Sequence, residues 1–354
     1  MARIKSLDIL RGITVAGMII VNNGYGDSFL PLCHSKWNGM TPCDLVFPFF
    51  LFIMGVSTYL SLSKNNFKAN AQIITKIIRR AIILFAIGLF INWFEVATKG
   101  NWNCFGQLRI WGVMQRIAIC YGVVSVVALT IKHKWIIHLI ILLLAIYTVI
   151  IIVGDGYAQE PSNILARVDT AIFGKEHLYK KSPVDPEGLM STIPSIAHVL
   201  IGFYVGSLLK KDKRLERTTL YVFLEAAILS IAGYLLMFGL PLNKRIWSPS
   251  YTLLTCGLAA ALLGILMYVV DMKKHEKGFT FFLVFGVNPL FLYVLSELLA
   301  RTLKRIGFSQ VVFDAINSLI THPQSASLTY AIYFLMLNFI CGLILYKRKI
   351  IIKL

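Results

Sequence analysis

The stretch Thr41-Pro42-Cys43-Asp44-Leu45-Val46-Phe47-Pro48-Phe49-Phe50-Leu51-Phe52-Ile53-Met54-Gly55-Val56-Ser57-Thr58-Tyr59-Leu60-Ser61 decides the fold class. Nothing after Asp44 in it is charged, and its length matches the roughly 20 helical residues that a bilayer core requires. Comparable apolar stretches recur at roughly 6–24, 74–94, 110–130, 134–153, 188–209, 217–239, 250–270, 279–299 and 328–346. The 354 residues are 57% hydrophobic and 15% charged, with a mean hydropathy of +0.72. A soluble domain carries about 25% charged residues, so one water-soluble core cannot hide this much apolar surface. The expected fold is all-α: a polytopic integral membrane bundle of about ten transmembrane helices, forming one domain over 1–354. Asp8 and Arg11 interrupt the first apolar run and no small-residue cleavage site follows, so a retained first helix is expected rather than a signal peptide.

The formal net charge of +18 raises the question of nucleic acid, and its distribution answers it. With the amino terminus inside, more than half of the 35 Lys and Arg fall in cytoplasmic segments. They include Arg3 and Lys5, Lys64 to Arg80, Lys132 and Lys134, Lys210 to Arg217, Lys273 to Lys277, and Lys347 to Lys353. That asymmetry is the positive-inside pattern, and it places both termini in the cytoplasm. The basic inner face also suits membrane lipid or a phosphorylated ligand. Six cysteines show no metal-ligand spacing. Buried free thiols are expected rather than a Cys33–Cys43 bridge, and no metal is expected.

Working outward from the span, the preceding loop His34-Ser35-Lys36-Trp37-Asn38-Gly39-Met40 holds an imidazole, an amide and an aromatic ring next to Asp44. Asp44 at the helix start complements the helix dipole; it also has the chemistry to orient an imidazole, as the third member of a relay does. Asn22 and Asn23 close the first span, and an Asn amide suits a developing oxyanion. Asp8 and Arg11 lie three apart on one helix face. They form either a structural ion pair or the inner mouth of a ligand passage, with Arg11 available to phosphate. Gln115 and Arg116 sit within a span, where Arg116 needs an anion. Glu225 and Glu297 read as structural partners. Asp185 and Glu187 belong to a turn before a helix, serving as caps or as ligands for sugar hydroxyls and an amine. Lys244, Trp247 and Ser248 sit at an outer face, Trp247 as an interfacial anchor or a stacking platform. Asn288-Pro289 implies a break inside a span.

The blocks Ser6 to Gly12, Val21-Asn22, His34 to Gly39, Asp44 to Pro48 and Phe52 to Gly55 together resemble the heparan-α-glucosaminide N-acetyltransferase family. Gly112 to Arg116, Asp185 to Gly188, Asn243 to Ser248 and Gly286 to Asn288 match in the same order. The resemblance implies a membrane enzyme that takes acetyl-CoA from the cytosolic side and acetylates the amine of a terminal glucosamine on the far side. It places the active-site histidine on His34 and its neighbouring asparagine on Asn22. With Asp44 these form the catalytic set; Arg11, Gln115, Arg116 and Asn288 are the candidates for acetyl-CoA. Trp37, Asn38, Asp185, Glu187, Lys244, Trp247 and Ser248 are the candidates for the acceptor. His34 acts as general base or as acetyl acceptor. Expected partners are acetyl-CoA, an amino-sugar or glycan acceptor, lipid and a second copy of the chain. The expected setting is a bacterial inner membrane, without the luminal domain and extra first helix of the lysosomal member. O-acetylation of a surface glycan, or transport or flipping of an amphipathic sugar, are the alternatives.

Overall fold

A computed structural model describes residues 4–180 and 182–352. Arg3 and Lys353, two of the expected inner-face cations, lie outside the described residues. Among those residues the chain forms thirteen α-helices and no strand. They are α1 (Lys5–Asn22), α2 (Val46–Leu62), α3 (Ala71–Ala97), α4 (Val113–Thr130), α5 (Ile136–Val153), α6 (Ile164–Phe173) and α7 (Thr192–Leu208). After these come α8 (Leu215–Leu236), α9 (Pro249–Leu266), α10 (Thr280–Val287), α11 (Pro289–Arg305), α12 (Phe308–Leu319) and α13 (Pro323–Lys347).

Every expected apolar stretch falls on a helix, and the chain is a polytopic helical membrane protein. By length and apolarity, six helical segments suffice to cross a bilayer, or seven when a bent pair is taken as one span. The bent pair is α10 and α11, which meet at 73° where Pro289 breaks the helix. The count of ten is not reached by that measure. α1 carries Lys5, Asp8 and Arg11, α3 carries Lys76, Arg79, Arg80 and Glu95, and α7 is only 17 residues long. Two helices were not expected at all. α6 and α12 are short amphipathic helices in the loops, and α12 leaves Val311 and Leu319 exposed.

Close backbone approach sets the packing around the site. A Cβ at Gly55 would lie 2.1 Å from the Val199 carbonyl oxygen, and one at Gly202 would lie 2.2 Å from that of Phe52. Only glycine lets α2 and α7 come together there. The main core gathers Phe52, Val56, Ala197, Val199, Leu200 and Phe203 at this seam.

The loops expected to share one face do meet. Trp37 Nε1 donates to the Tyr157 carbonyl (2.8 Å), Gly39 N to Leu242 O (2.7 Å), and Ile110 N to His177 O (3.1 Å). Tyr25 Oη donates to Gln310 Oε1 (2.5 Å), adding the first turn of α12 to the same end.

Candidate active site

His34 lies at the mouth of this loop assembly, its side chain 52% exposed, while Asp44 is fully buried beneath it. Nδ1 of His34 is 2.7 Å from Asp44 Oδ1. A carboxylate only accepts, so a bond between these two atoms takes the tautomer with the proton on Nδ1, and in that neutral ring Nε2 presents a lone pair. Asp44 is fixed by local sequence. It stands in the turn Pro42–Leu45 that opens α2, and its Oδ2 accepts from Thr41 N, Ser35 N (both 3.1 Å) and Thr41 Oγ1 (3.2 Å). Its own carbonyl accepts from Tyr251 Oη at 2.6 Å. The free thiol of Cys43 lies 3.2 Å from His34 Nδ1; Cys33 is also a free thiol.

A cation completes the cluster. Lys244 Nζ is 3.0 Å from His34 Nδ1 and 3.2 Å from Asp44 Oδ1. The loop that aims it is tightly tied. Asn243 Oδ1 accepts from the amides of Arg245 (2.9 Å) and Ile246 (3.2 Å), and Asn243 Nδ2 donates to Asn38 Oδ1 (3.1 Å). Ser248 Oγ accepts from Asn243 N (3.0 Å) and caps α9 through Tyr251 N (3.3 Å). Trp247 takes a positive φ of 55°, which is strained for a bulky residue. Its ring is buried against Phe47 and Tyr251, with the Arg116 guanidinium 5.1 Å from its centre. Trp247 therefore anchors the loop from inside and is neither an interfacial anchor nor an exposed stacking platform.

Asp185 and Glu187 meet Arg109, a residue that the sequence reading passed over. Arg109 Nη2 lies 2.6 Å from Asp185 Oδ1 and 2.7 Å from Glu187 Oε2, and its ring neighbour is Tyr179. Asp185 also accepts from Tyr179 N and Glu187 N, and it has no exposed side-chain surface. It is a structural hub, closed to substrate. Glu187 keeps an exposed edge. Burial opposes its charge, but Arg109, Arg116 and Lys244 outweigh burial and hold the carboxyl below its usual range. The Arg109 guanidinium is correspondingly raised: burial works against its charge, and Glu187 and Asp185 prevail.

Residues 3–235 match the catalytic family of heparan-alpha-glucosaminide N-acetyltransferase. The chain belongs to that family. Among curated relatives, the heparan-alpha-glucosaminide N-acetyltransferase of Mus musculus is 30% identical over 363 residues, covering 84% of this chain and 54% of its own. That of Homo sapiens is 29% identical over 358 residues, covering 83% and 53%. The chain thus spans about half the length of the curated relatives it matches. His34, Asp44 and Glu187 lie within the matched stretch of the family, and Lys244 beyond it.

The other expected site residues have partners of their own. Asn22 Nδ2 bonds to Glu297 Oε1 (3.4 Å); Glu297 pairs with Arg301 (2.5 Å), which reaches Glu95. Arg11 bonds to Asp8 Oδ1 (3.0 Å), Ser57 Oγ (2.8 Å) and Gly286 O (3.4 Å). Arg116 shares no site with it. Fully buried, Arg116 holds Gly188 O (3.1 Å) and Ser191 Oγ at the start of α7, because it enters α4 only one turn after the loop that carries Arg109. It belongs with the His34 face, not with an inner mouth. Gln115 fills the space left by Gly88 and Gly112. Asn288 is committed to the carboxyl-terminal tail through Ile350 O (2.8 Å) and Ile352 N (2.9 Å). Arg109 had one sequence signal, a cation at a loop–span boundary near two carboxylates' turn; Cys43 facing the ring had none.

Proposed function

We propose that this chain is a transmembrane N-acetyltransferase, moving an acetyl group from cytosolic acetyl-CoA to the amine of a glucosamine-type sugar across the membrane. The observation that carries the reading is the 2.7 Å bond from His34 Nδ1 to Asp44 Oδ1, in a chain of this family. It leaves Nε2 free on an exposed ring, the state a general base requires. Nε2 takes the proton as the amine nitrogen attacks the thioester carbonyl, the C–S bond breaks, and the imidazolium passes that proton to the departing sulfur, so that CoA leaves as the thiol and the base is regenerated. Asp44 holds the tautomer and stabilises the imidazolium that forms. Lys244 balances the buried Asp44 charge and fixes its position. Asn22 is the proposed oxyanion donor; its bond to Glu297 uses one amide hydrogen and leaves the other. The exposed edge of Glu187 is the proposed partner for an acceptor amine or hydroxyl, and Arg11 with the basic inner face is the proposed seat of the CoA phosphates. The same lone pair would also serve an acetyl-histidine route, which exchange of labelled CoA in the absence of sugar distinguishes.

The test is acetyl-CoA consumption by purified, detergent-solubilised protein over a panel of amino sugars and hydroxyl acceptors. Amine-dependent turnover supports the reading, and consumption only with hydroxyl acceptors would replace it with O-acetylation. The bend at Pro289 favours one other reading, a sugar transporter. Transport needs two compartments, so substrate-dependent consumption in detergent excludes it as the activity.

A further inference from the structure

Three side chains of different chemistry converge at His34. Nδ1 of His34, Sγ of Cys43 and a carboxylate oxygen of Asp44 all lie within 4.8 Å of one another. The measured separations are 2.7 Å from Nδ1 to Oδ1 and 3.2 Å from Nδ1 to Sγ. An ion bound at about 2.0–2.3 Å to nitrogen, oxygen and sulfur holds its ligand atoms roughly 3–4 Å apart, so the three need only small adjustments to share one. Two of the ligands are already positioned. Cys43 and Asp44 are consecutive in the turn Pro42–Leu45, and three donors on Asp44 Oδ2 direct Oδ1 toward the ring. Supporting contacts of that kind orient metal ligands. The place also tolerates positive charge, since the Lys244 ammonium stands 3.0 Å from Nδ1 and 3.2 Å from Oδ1.

We propose that His34, Cys43 and Asp44 form a binding site for a soft divalent cation, Zn2+ above all, and that the bound ion switches acetyl transfer off. A thiolate with an imidazole selects such an ion over Mg2+ or Ca2+. The ion displaces the Lys244 ammonium, whose long stem lets it swing aside, and Glu187 offers it a nearby carboxylate. Cys43 gives up its proton to solvent. The ring proton passes from Nδ1, which now holds the ion, to Nε2, and the lone pair that would accept the amine proton is gone. Binding stands on the geometry alone; inhibition rests on His34 acting through Nε2, as proposed above.

Co2+ makes the site visible, because a cobalt–thiolate bond gives a near-ultraviolet charge-transfer band. Purified wild-type protein titrated with Co2+ should show that band, and Zn2+ should abolish it by competition. Cys43→Ser should lose the band and require roughly tenfold more Zn2+ or beyond for half-inhibition, relative to its own metal-free rate. Cys33→Ser should keep both. Lys244→Ala should bind Co2+ more tightly, since its competitor is removed. No band in the wild type, or a band that survives in Cys43→Ser and Cys43→Ala, overturns the site. A Cys43-dependent band without inhibition upholds the site and overturns His34 as the base.

Discussion

At the scale of single residues, the decisive contrast is between an exposed ring and the buried groups that hold it. His34→Ala should reduce acetyl transfer by roughly 10²–10⁴-fold, the usual contribution of a general base, while leaving yield and thermal stability in detergent nearly unchanged. A variant that turns over at the wild-type rate removes His34 from the mechanism. Arg109 is the opposite case. Its partner Asp185 is fully buried, so Arg109→Ala strands a charge and should cost about 3–5 kcal/mol, seen as a lowered unfolding temperature; an unchanged melt would show that Asp185 finds another partner. Asp169 supplies a pH signature. Burial pushes its carboxyl up from 3.8 to about 6, and Oδ1 accepts from Leu189 N (3.0 Å) while Oδ2 fills the space beside Gly188. A folded value above the unfolded one means that the neutral form is favoured in the fold. Its stabilisation is complete below 3.8 and is lost as pH rises through about 6. Unfolding temperatures of Asp169→Asn should therefore be flatter over that window than those of the wild type, and parallel curves would refute the assignment.

At the scale of elements, the site depends on how closely α2 approaches α7. α2 begins two residues after Asp44, and α7 begins after the turn that Arg116 holds. Any outward shift of α2 moves Asp44 relative to Lys244, which comes from a different part of the chain. Gly202→Val should cost about 1–3 kcal/mol or more through overpacking and should lower activity along with stability. Gly239→Ala, where a Cβ meets nothing within 4 Å, is the matched control. Equal melting temperatures for the two variants would mean that the seam yields more easily than its backbone contacts suggest. The tied loop Asn243–Ser248 is the second positioning element, since its internal hydrogen bonds and the buried Trp247 leave Lys244 little freedom at its base.

At the scale of the whole molecule, the loops joined to one another at the His34 end carry most of the polar chemistry, while the opposite end is basic. With the amino terminus in the cytoplasm, a cysteine placed at Lys175 should react with an impermeant thiol reagent in intact cells, and one placed at Lys213 should not. The reverse pattern would put His34 on the cytosolic side and remove the need for transmembrane transfer. The labelling should be read against a background free of Cys33 and Cys341, the native thiols with accessible surface.

The sequence by itself determined that the chain is a helical membrane protein, where its apolar helices lie, and that His34 and Asp44 belong to one feature. Each of these is local: apolarity is a property of a stretch, and the imidazole and its carboxylate are only ten positions apart in loop and turn. The tertiary structure alone decided what joins them. Lys244 reaches His34 across 210 positions, Arg109 claims Asp185 and Glu187 across more than 70, and Arg116 turns to α7 rather than to Arg11. Which cation meets which carboxylate depends on how helices and loops far apart in the chain approach one another, and no stretch of sequence encodes a distance between helices. Two binding candidates, Asp185 and Trp247, were drawn into the interior for that reason.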